Sequence, residues 1–156
     1  MTNIGVISDT HGLLRPEALQ VLHDSAHIIH AGDIGSPEIL ERLREIAPTY
    51  AVRGNVDTEP WARSLPVTLK LEFGRATIFV IHNLSQMKKA PAGIGAVIFG
   101  HSHHPVIETR DGLLYFNPGS AGPRRFSLPV SVGKLRIAED GTLHPEPVPL
   151  LPTDAD

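Results

Sequence analysis

The sequence predicts an α/β domain in which two β-sheets pack face to face with helices outside. Three observations carry that expectation. Short apolar β runs alternate with helical patterns over the first third of the chain, strand patterns dominate thereafter, and no linker or internal repeat separates the two parts. At 156 residues, with 41% hydrophobic and 20% charged side chains, the chain suits one core that buries roughly 70% of its unfolded surface. Residues 1–143 are read as the domain, and 144–156, with prolines at 145, 147, 149 and 152, as an extended or loosely packed tail of the same unit.

Taken in order, residues 4–8 form a compact apolar run that reads as a buried strand. Residues 16–22 open on Pro16 and space Ala18, Leu19 and Leu22 as one face of a helix. The unit repeats, with a strand at 28–31 and a helix that starts at Ser36-Pro37-Glu38, a serine N-cap followed by proline at the first helical position. Its inner face is Ile39, Leu40, Leu43 and Ile46. A third strand, 49–52, ends near Gly54. Residues 67–72 and 75–81 then read as a hairpin turning at Phe73-Gly74, 96–99 as a buried strand, 106–109 and 113–116 as strands flanking a turn at Arg110-Asp111-Gly112, and 131–137 as a last strand.

Charge and composition exclude several functions. A formal charge of −3 gives no basic footprint for extended nucleic-acid binding. The chain has no cysteine, so thiolate metal sites and disulfides are excluded, and any metal must accept oxygen and imidazole. No stretch approaches the ~18 apolar residues of a membrane span, and no secretory signal is visible, so the expected location is the cytoplasm.

Seven side chains able to bind a metal follow these strands. They are Asp9 and His11 after the first, Asp33 after the second, Asn55 after the third, His82 after the hairpin, and His101 and His103 after residues 96–99. Ligands bind at strand carboxyl ends in open α/β sheets, so residues distant in sequence can converge on one cleft. Asp9 and His11, two apart, would share a side of an extended backbone. Each piece alone has an ordinary reading: Asp9 as a turn cap, Gly32-Asp33 as a turn, Asn55 as a left-handed turn residue. The ordered series is what makes coincidence a poor account.

The stretches Ser8-Asp9-Thr10-His11-Gly12, His30-Ala31-Gly32-Asp33, Val52-Arg53-Gly54-Asn55-Val56-Asp57, His82, Gly100-His101-Ser102-His103 and Asn117-Pro118-Gly119-Ser120 closely resemble the motifs of the calcineurin-like metallophosphoesterases. The resemblance is greatest to their small, single-domain bacterial and archaeal phosphodiesterase branch. It implies a four-layer αββα sandwich of two mixed sheets and a centre of two divalent ions. Carried over by position, Asp9, His11 and His103 would hold one ion, Asn55, His82 and His101 the other, and Asp33 would bridge them. Manganese suits the oxygen and nitrogen donors, with iron, nickel, cobalt or zinc as alternatives. The implied reaction is in-line attack on phosphorus by a metal-bridging hydroxide, without a protein nucleophile.

Departures from the family pattern sharpen this reading. Many members of the superfamily carry a histidine after the metal-binding asparagine that assists the leaving group; here that residue is Val56. A phosphodiester with a good leaving group is therefore favoured over a phosphomonoester or phosphoprotein. Asn83 replaces an expected glycine, which raises the prospect of a left-handed backbone there, and residues 84–95 form a shorter segment than the family's, weak as a helix. Arg53 and Arg124 are candidate phosphate contacts, and Asp57 a candidate acceptor for a ligand imidazole or else a solvated turn carboxylate. His30 reads as structural or solvent-facing. The rival from another class is a protein-interaction scaffold, as the small retromer subunit is on this fold; here all the ligand positions are filled with competent side chains. The resemblance also suggests a homodimer acting on a small phosphoester.

Overall fold

Residues 1–125 and 127–151 are described by a computed structural model. Thr2–Ile7 (β1), His27–His30 (β2) and Thr49–Ala51 (β3) run parallel. Pro16–Leu22 (α1) and Pro37–Arg44 (α2) are the crossover helices. The helix signals act as the sequence suggests: Pro16 and Pro37 occupy first-turn positions, and the Ser36 hydroxyl accepts the Glu38 N–H at the α2 cap. Ser131–Ile137 (β9) joins antiparallel to β1 and completes, with one further strand, a five-stranded sheet.

That further strand is Leu143–Pro149 (β10): of the two readings of the tail, extended or loosely packed, residues 144–149 take the extended one and are packed as a strand. It pairs with β9 from Leu143 against Ile137 to Pro149 against Ser131. The Leu150 N–H donates to Val130 O, so the even-numbered residues face β9 and the prolines at 145, 147 and 149 turn toward the open edge. An edge strand without outward N–H groups resists pairing with other chains. Residues 152–156 lie outside the described residues.

The second sheet contains Thr68–Phe73 (β4), Ala76–Ile81 (β5), Ala96–Ile98 (β6), Pro105–Arg110 (β7) and Leu113–Pro118 (β8), in the order β4-β5-β6-β8-β7. Its centre is parallel and its margins antiparallel, and β4–β5 and β7–β8 are the two expected hairpins. Ile4, Val6 and Ile29 on the first sheet pack against Ile78, Val80, Ile98 and Phe116 on the second. Each fully buried aliphatic or aromatic side chain of this kind contributes about 1.5–3 kcal/mol.

The outer faces differ. Ile7 and Ile28 of the first sheet are covered by Ala18, Leu22, Ile39, Leu40 and Leu43 from α1 and α2. On the second sheet, Ile81, Val97 and Phe99 are covered by the segment containing Leu84, Met87 and Ile94, whose only helical turn among the described residues is the 3-10 turn Leu84–Gln86. The helical layer on that side is thus reduced to one turn, in keeping with the short segment read from the sequence. No helix among the described residues is long and apolar enough to cross a membrane.

Candidate metal centre

Six strands, β1, β2 and β3 in one sheet and β5, β6 and β8 in the other, aim their carboxyl ends at one end of the sandwich. The loops leaving them are joined to one another by their backbones. Asp9 and His11 N–H groups donate to the Gly32 and Asp33 carbonyls, and Gly100 N–H donates to His82 O.

Asp9, His11 and His103 each offer one ligand atom, all within 4.8 Å of one another; Asp33, His82 and His101 form a second such group. Each contains a pair of imidazoles with ring centroids 5.4 Å apart. Asp33 lies where the groups meet, its Oδ2 3.6 Å from His11 Nε2 and 3.1 Å from His82 Nε2. Asn55 is exposed at the rim and lines a cleft of about 190 Å³ with His82, Arg53, Gly54, Val67, Asn83 and Gln86. Larger depressions of about 500 and 420 Å³ lie elsewhere and hold neither ligand group.

The ligand pairs converge by a route that strand alternation does not provide. Asp9, His11, Asp33, His101 and His103 all have left-handed backbones, with φ between 46° and 73°. Each costs on the order of 1 kcal/mol in a non-glycine residue, and the core beneath offsets that strain. His101 and His103, two apart, reach different groups, whereas Asp9 and His11, with the same backbone handedness, share one. Two glycines permit the close approach: a Cβ on Gly100 would collide with Ser8 Oγ and Asp9 Oδ2, and one on Gly54 with the Asp33 backbone and carboxylate. Asn83 is extended at φ −109°, not left-handed, and its side chain caps the 3-10 turn by accepting from the Ser85 N–H.

The donor atoms are positioned with their lone pairs unspent. Asp9 Oδ2 accepts from the Ser8 hydroxyl at 2.7 Å and the His101 N–H at 3.2 Å. Its Oδ1, together with His11 Nε2, His82 Nε2 and His103 Nδ1, is buried without a hydrogen-bond partner among the described residues. Burial opposes ionisation of Asp9, but His103, His11, His82 and Ser8 more than compensate and hold its carboxyl below the usual carboxylate range. For Asp33 burial is likewise outweighed, here by His82 and the Val56 N–H, and its pKa is also lowered. His82 gives its Nδ1–H to Ala31 O at 2.7 Å, which leaves Nε2 facing the carboxylates. Burial lowers its pKa, yet Asp33 and Asp9 raise it overall. A lone pair facing two carboxylates calls for a cation, so these donors fit divalent metal binding.

Asp57 takes neither of its expected roles. Its carboxylate is buried and accepts the N–H groups of Ile34, Gly35 and Gly54, which ties the loop carrying Asp33 to the loop carrying Asn55. Arg124 is part-buried in the loop after β8 and does not line the cleft beside His82. Several supports lie in stretches singled out from sequence, where His30 reads as structural or solvent-facing and residues 117–120 as a turn supporting the site. Fully buried His30 donates from Nε2 to Thr10 Oγ1, whose own proton goes to Ile34 O, and accepts the Gly32 N–H at Nδ1. Ser120 donates to Asp9 O, and Asn117 donates to Gly100 O. For His30 the sequence offers two signals, a polar side chain inside an apolar strand and a place in the His30-Ala31-Gly32-Asp33 stretch.

A family model described as the calcineurin-like phosphoesterase superfamily domain matches residues 2–140. The chain is 36% identical over 148 residues to a protein named probable metallophosphoesterase in Methanothermobacter thermautotrophicus, covering 86% of this chain and 85% of that protein. With the phosphodiesterase YfcE of Escherichia coli it shares 32% identity over 111 residues, 63% of this chain and 58% of the other. Among solved structures, an archaeal phosphodiesterase superposes with a TM-score of 0.76 at 25% identity, over 93% of this chain and 99% of that one. Vacuolar protein sorting 29 from Cryptosporidium parvum shares the fold, with a TM-score of 0.74 at 18% identity over 93% and 95% of the two chains.

Proposed function

We propose that this chain, which belongs to the calcineurin-like phosphoesterase superfamily and is a metal-dependent phosphoric ester hydrolase, is a phosphodiesterase that uses two divalent ions. The observation that carries the reading is the pair of adjoining ligand groups in which Asp9 Oδ1, His11 Nε2, His82 Nε2 and His103 Nδ1 are buried without a hydrogen-bond partner among the described residues. Asp9, His11 and His103 would hold one ion, Asn55, His82 and His101 the other, and Asp33 both. The mixture of carboxylate, amide and imidazole without sulfur favours manganese. When bound, such ions lower the pKa of water and neutralise phosphate oxygens.

The chain's own residues do the rest. Ala31 O fixes the His82 tautomer, Ser8 and the His101 N–H fix Asp9, and Asp57 holds the two loops of the second group in register. Val56, 46% exposed beside Asn55, supplies no proton to a departing alkoxide, which favours an ester with a good leaving group. Arg53, on the cleft wall, is a candidate contact for a phosphate oxygen.

The test is to strip the metal, restore manganese, and assay bis(p-nitrophenyl) phosphate beside p-nitrophenyl phosphate. Metal-dependent diester cleavage that is lost in Asp33→Ala and His82→Ala supports the reading. Preference for the monoester would make the protein a phosphatase, and cleavage of neither by folded, metal-loaded protein would point to an interaction scaffold.

A further inference from the structure

The cleft beside His82 opens directly on a ligand group, and its wall chemistry restricts what can leave through it. Arg53, Gly54, Asn55, Val67, His82, Asn83 and Gln86 line it. No carboxylic acid, lysine or tyrosine is among them. His82 has its Nδ1–H committed to Ala31 O, and Asn83 Oδ1 is committed to the Ser85 N–H and hydroxyl. A leaving group in this cleft therefore departs without a proton from the wall.

The cleft nevertheless holds a fixed positive charge. The Arg53 guanidinium makes no hydrogen bond or ion pair with the described residues. Its main chain is anchored between buried Val52 and Gly54, and its N–H donates to Pro66 O. An arginine is charged at every relevant pH, and its planar fork matches phosphate oxygens. Next to it Gln86 is exposed, and Val67, 44% exposed, offers an apolar ledge.

We infer that this cleft receives a phosphate monoester as the leaving group, so that the preferred substrate class is the disubstituted pyrophosphate, a phosphoanhydride. The inference rests on the phosphoesterase reading above and narrows it. An alkoxide leaves with a conjugate-acid pKa near that of water, about 16, whereas a phosphate monoester has a second pKa of about 6 and needs no donor. It also brings the negative charge that Arg53 lacks a partner for. In the balanced step, the oxygen of water bonds to one phosphorus and the bond from that phosphorus to the bridging oxygen breaks. The electron pair stays on the departing phosphate, and the proton from water passes to solvent. A space of about 190 Å³ accommodates that phosphate and the start of its substituent, with Val67 against the latter.

A matched pair of substrates tests this: diphenyl phosphate and P1,P2-diphenyl pyrophosphate, with bis(p-nitrophenyl) phosphate as reference, on the manganese-loaded protein, Arg53→Ala and Arg53→Lys. The pyrophosphate should be cleaved with a kcat/KM about tenfold or more above diphenyl phosphate. Arg53→Ala should lose about tenfold more on the pyrophosphate than on the reference diester, and Arg53→Lys should recover part of that difference. Calorimetric titration of the metal-free protein with the non-cleavable methylene-bridged analogue should show binding about tenfold weaker in Arg53→Ala. If the reference diester is cleaved while the pyrophosphate is not, or if Arg53→Ala falls equally on both, this inference is overturned and the phosphodiesterase reading stands. If none is cleaved, both fall.

Discussion

The two ligand groups differ in how they are closed. Asp9 and His103 are buried, His11 is nearly so, and Asp9 is gripped by Ser8, the His101 N–H and, through its carbonyl, Ser120. In the second group Asp33 and His82 are buried but His101 and Asn55 are exposed, and the group faces a cleft. The first is built as a fixed anchor. The second opens on a cleft, which suits the proposed meeting with a substrate, and its loops are tied together from behind by Asp57. Closure strengthens electrostatic interactions but excludes ligands, so one centre needs one group of each kind.

Asp33, in the second group but 3.6 Å from His11 of the first, is proposed to serve both, so its loss should have the largest effect. Asp33→Ala is expected to reduce turnover of bis(p-nitrophenyl) phosphate by about 10³-fold and to lower the manganese bound per chain. Unchanged stoichiometry would show that the groups do not share this carboxylate.

His30 lies behind both groups and links acid stability to them. It is neutral in the fold, pushed down from 6.5 to about 4, first by burial. The unfolded chain takes up that proton sooner, so His30 leaves stability intact above pH 6.5 and subtracts from it as pH falls toward 4, by about 3 kcal/mol in full. His82 acts with the opposite sign in metal-free protein: its raised pKa adds stability below its unfolded value of 6.5 that is lost as pH rises. Asp9 and Asp33, held low, lose their contribution only below about their ordinary 3.8. Urea unfolding of metal-free His30→Gln should therefore show a flatter decline between pH 6.5 and 4.5 than wild type. Parallel declines would assign the acid sensitivity to other groups.

Asp57→Asn separates the groups. An amide nitrogen would face one of the N–H groups that the carboxylate now accepts, and the open group should lose affinity for manganese by about 10–100-fold. The closed group should change less, a difference that chelator competition resolves into two steps. Equal weakening of both steps would mean that the loops move as one body.

The smallest effect is expected at the closed group. Gly100→Ala places a Cβ against Ser8 and Asp9 and should cost about 1–3 kcal/mol, which corresponds to roughly 2–4 °C of melting temperature per kcal/mol for a chain of this size. A melting temperature equal to wild type would show that Ser8 yields freely.

By itself the sequence determined the order of elements as far as β9 and singled out the candidate donors. Apolar runs, proline starts and the Ser36 cap are local signals, so α1 spans residues 16–22 and β9 residues 131–137 as read. The donor series was legible because ligand chemistry depends on side-chain type. The grouping was implied by the resemblance, but only the tertiary structure decided the backbone that brings it about, since left-handed conformations at Asp9, His11, Asp33, His101 and His103 are imposed by packing against propensity. It also decided what long-range hydrogen bonds do: Asp57 became a clamp on backbone N–H groups 22 and 23 residues away, and His30 a buried neutral support across 20 residues. The proline-rich segment became a strand because β9 offered it an edge. Propensity and spacing act along the chain, whereas these contacts depend on which sheets meet, and that is settled only when the apolar faces close on each other.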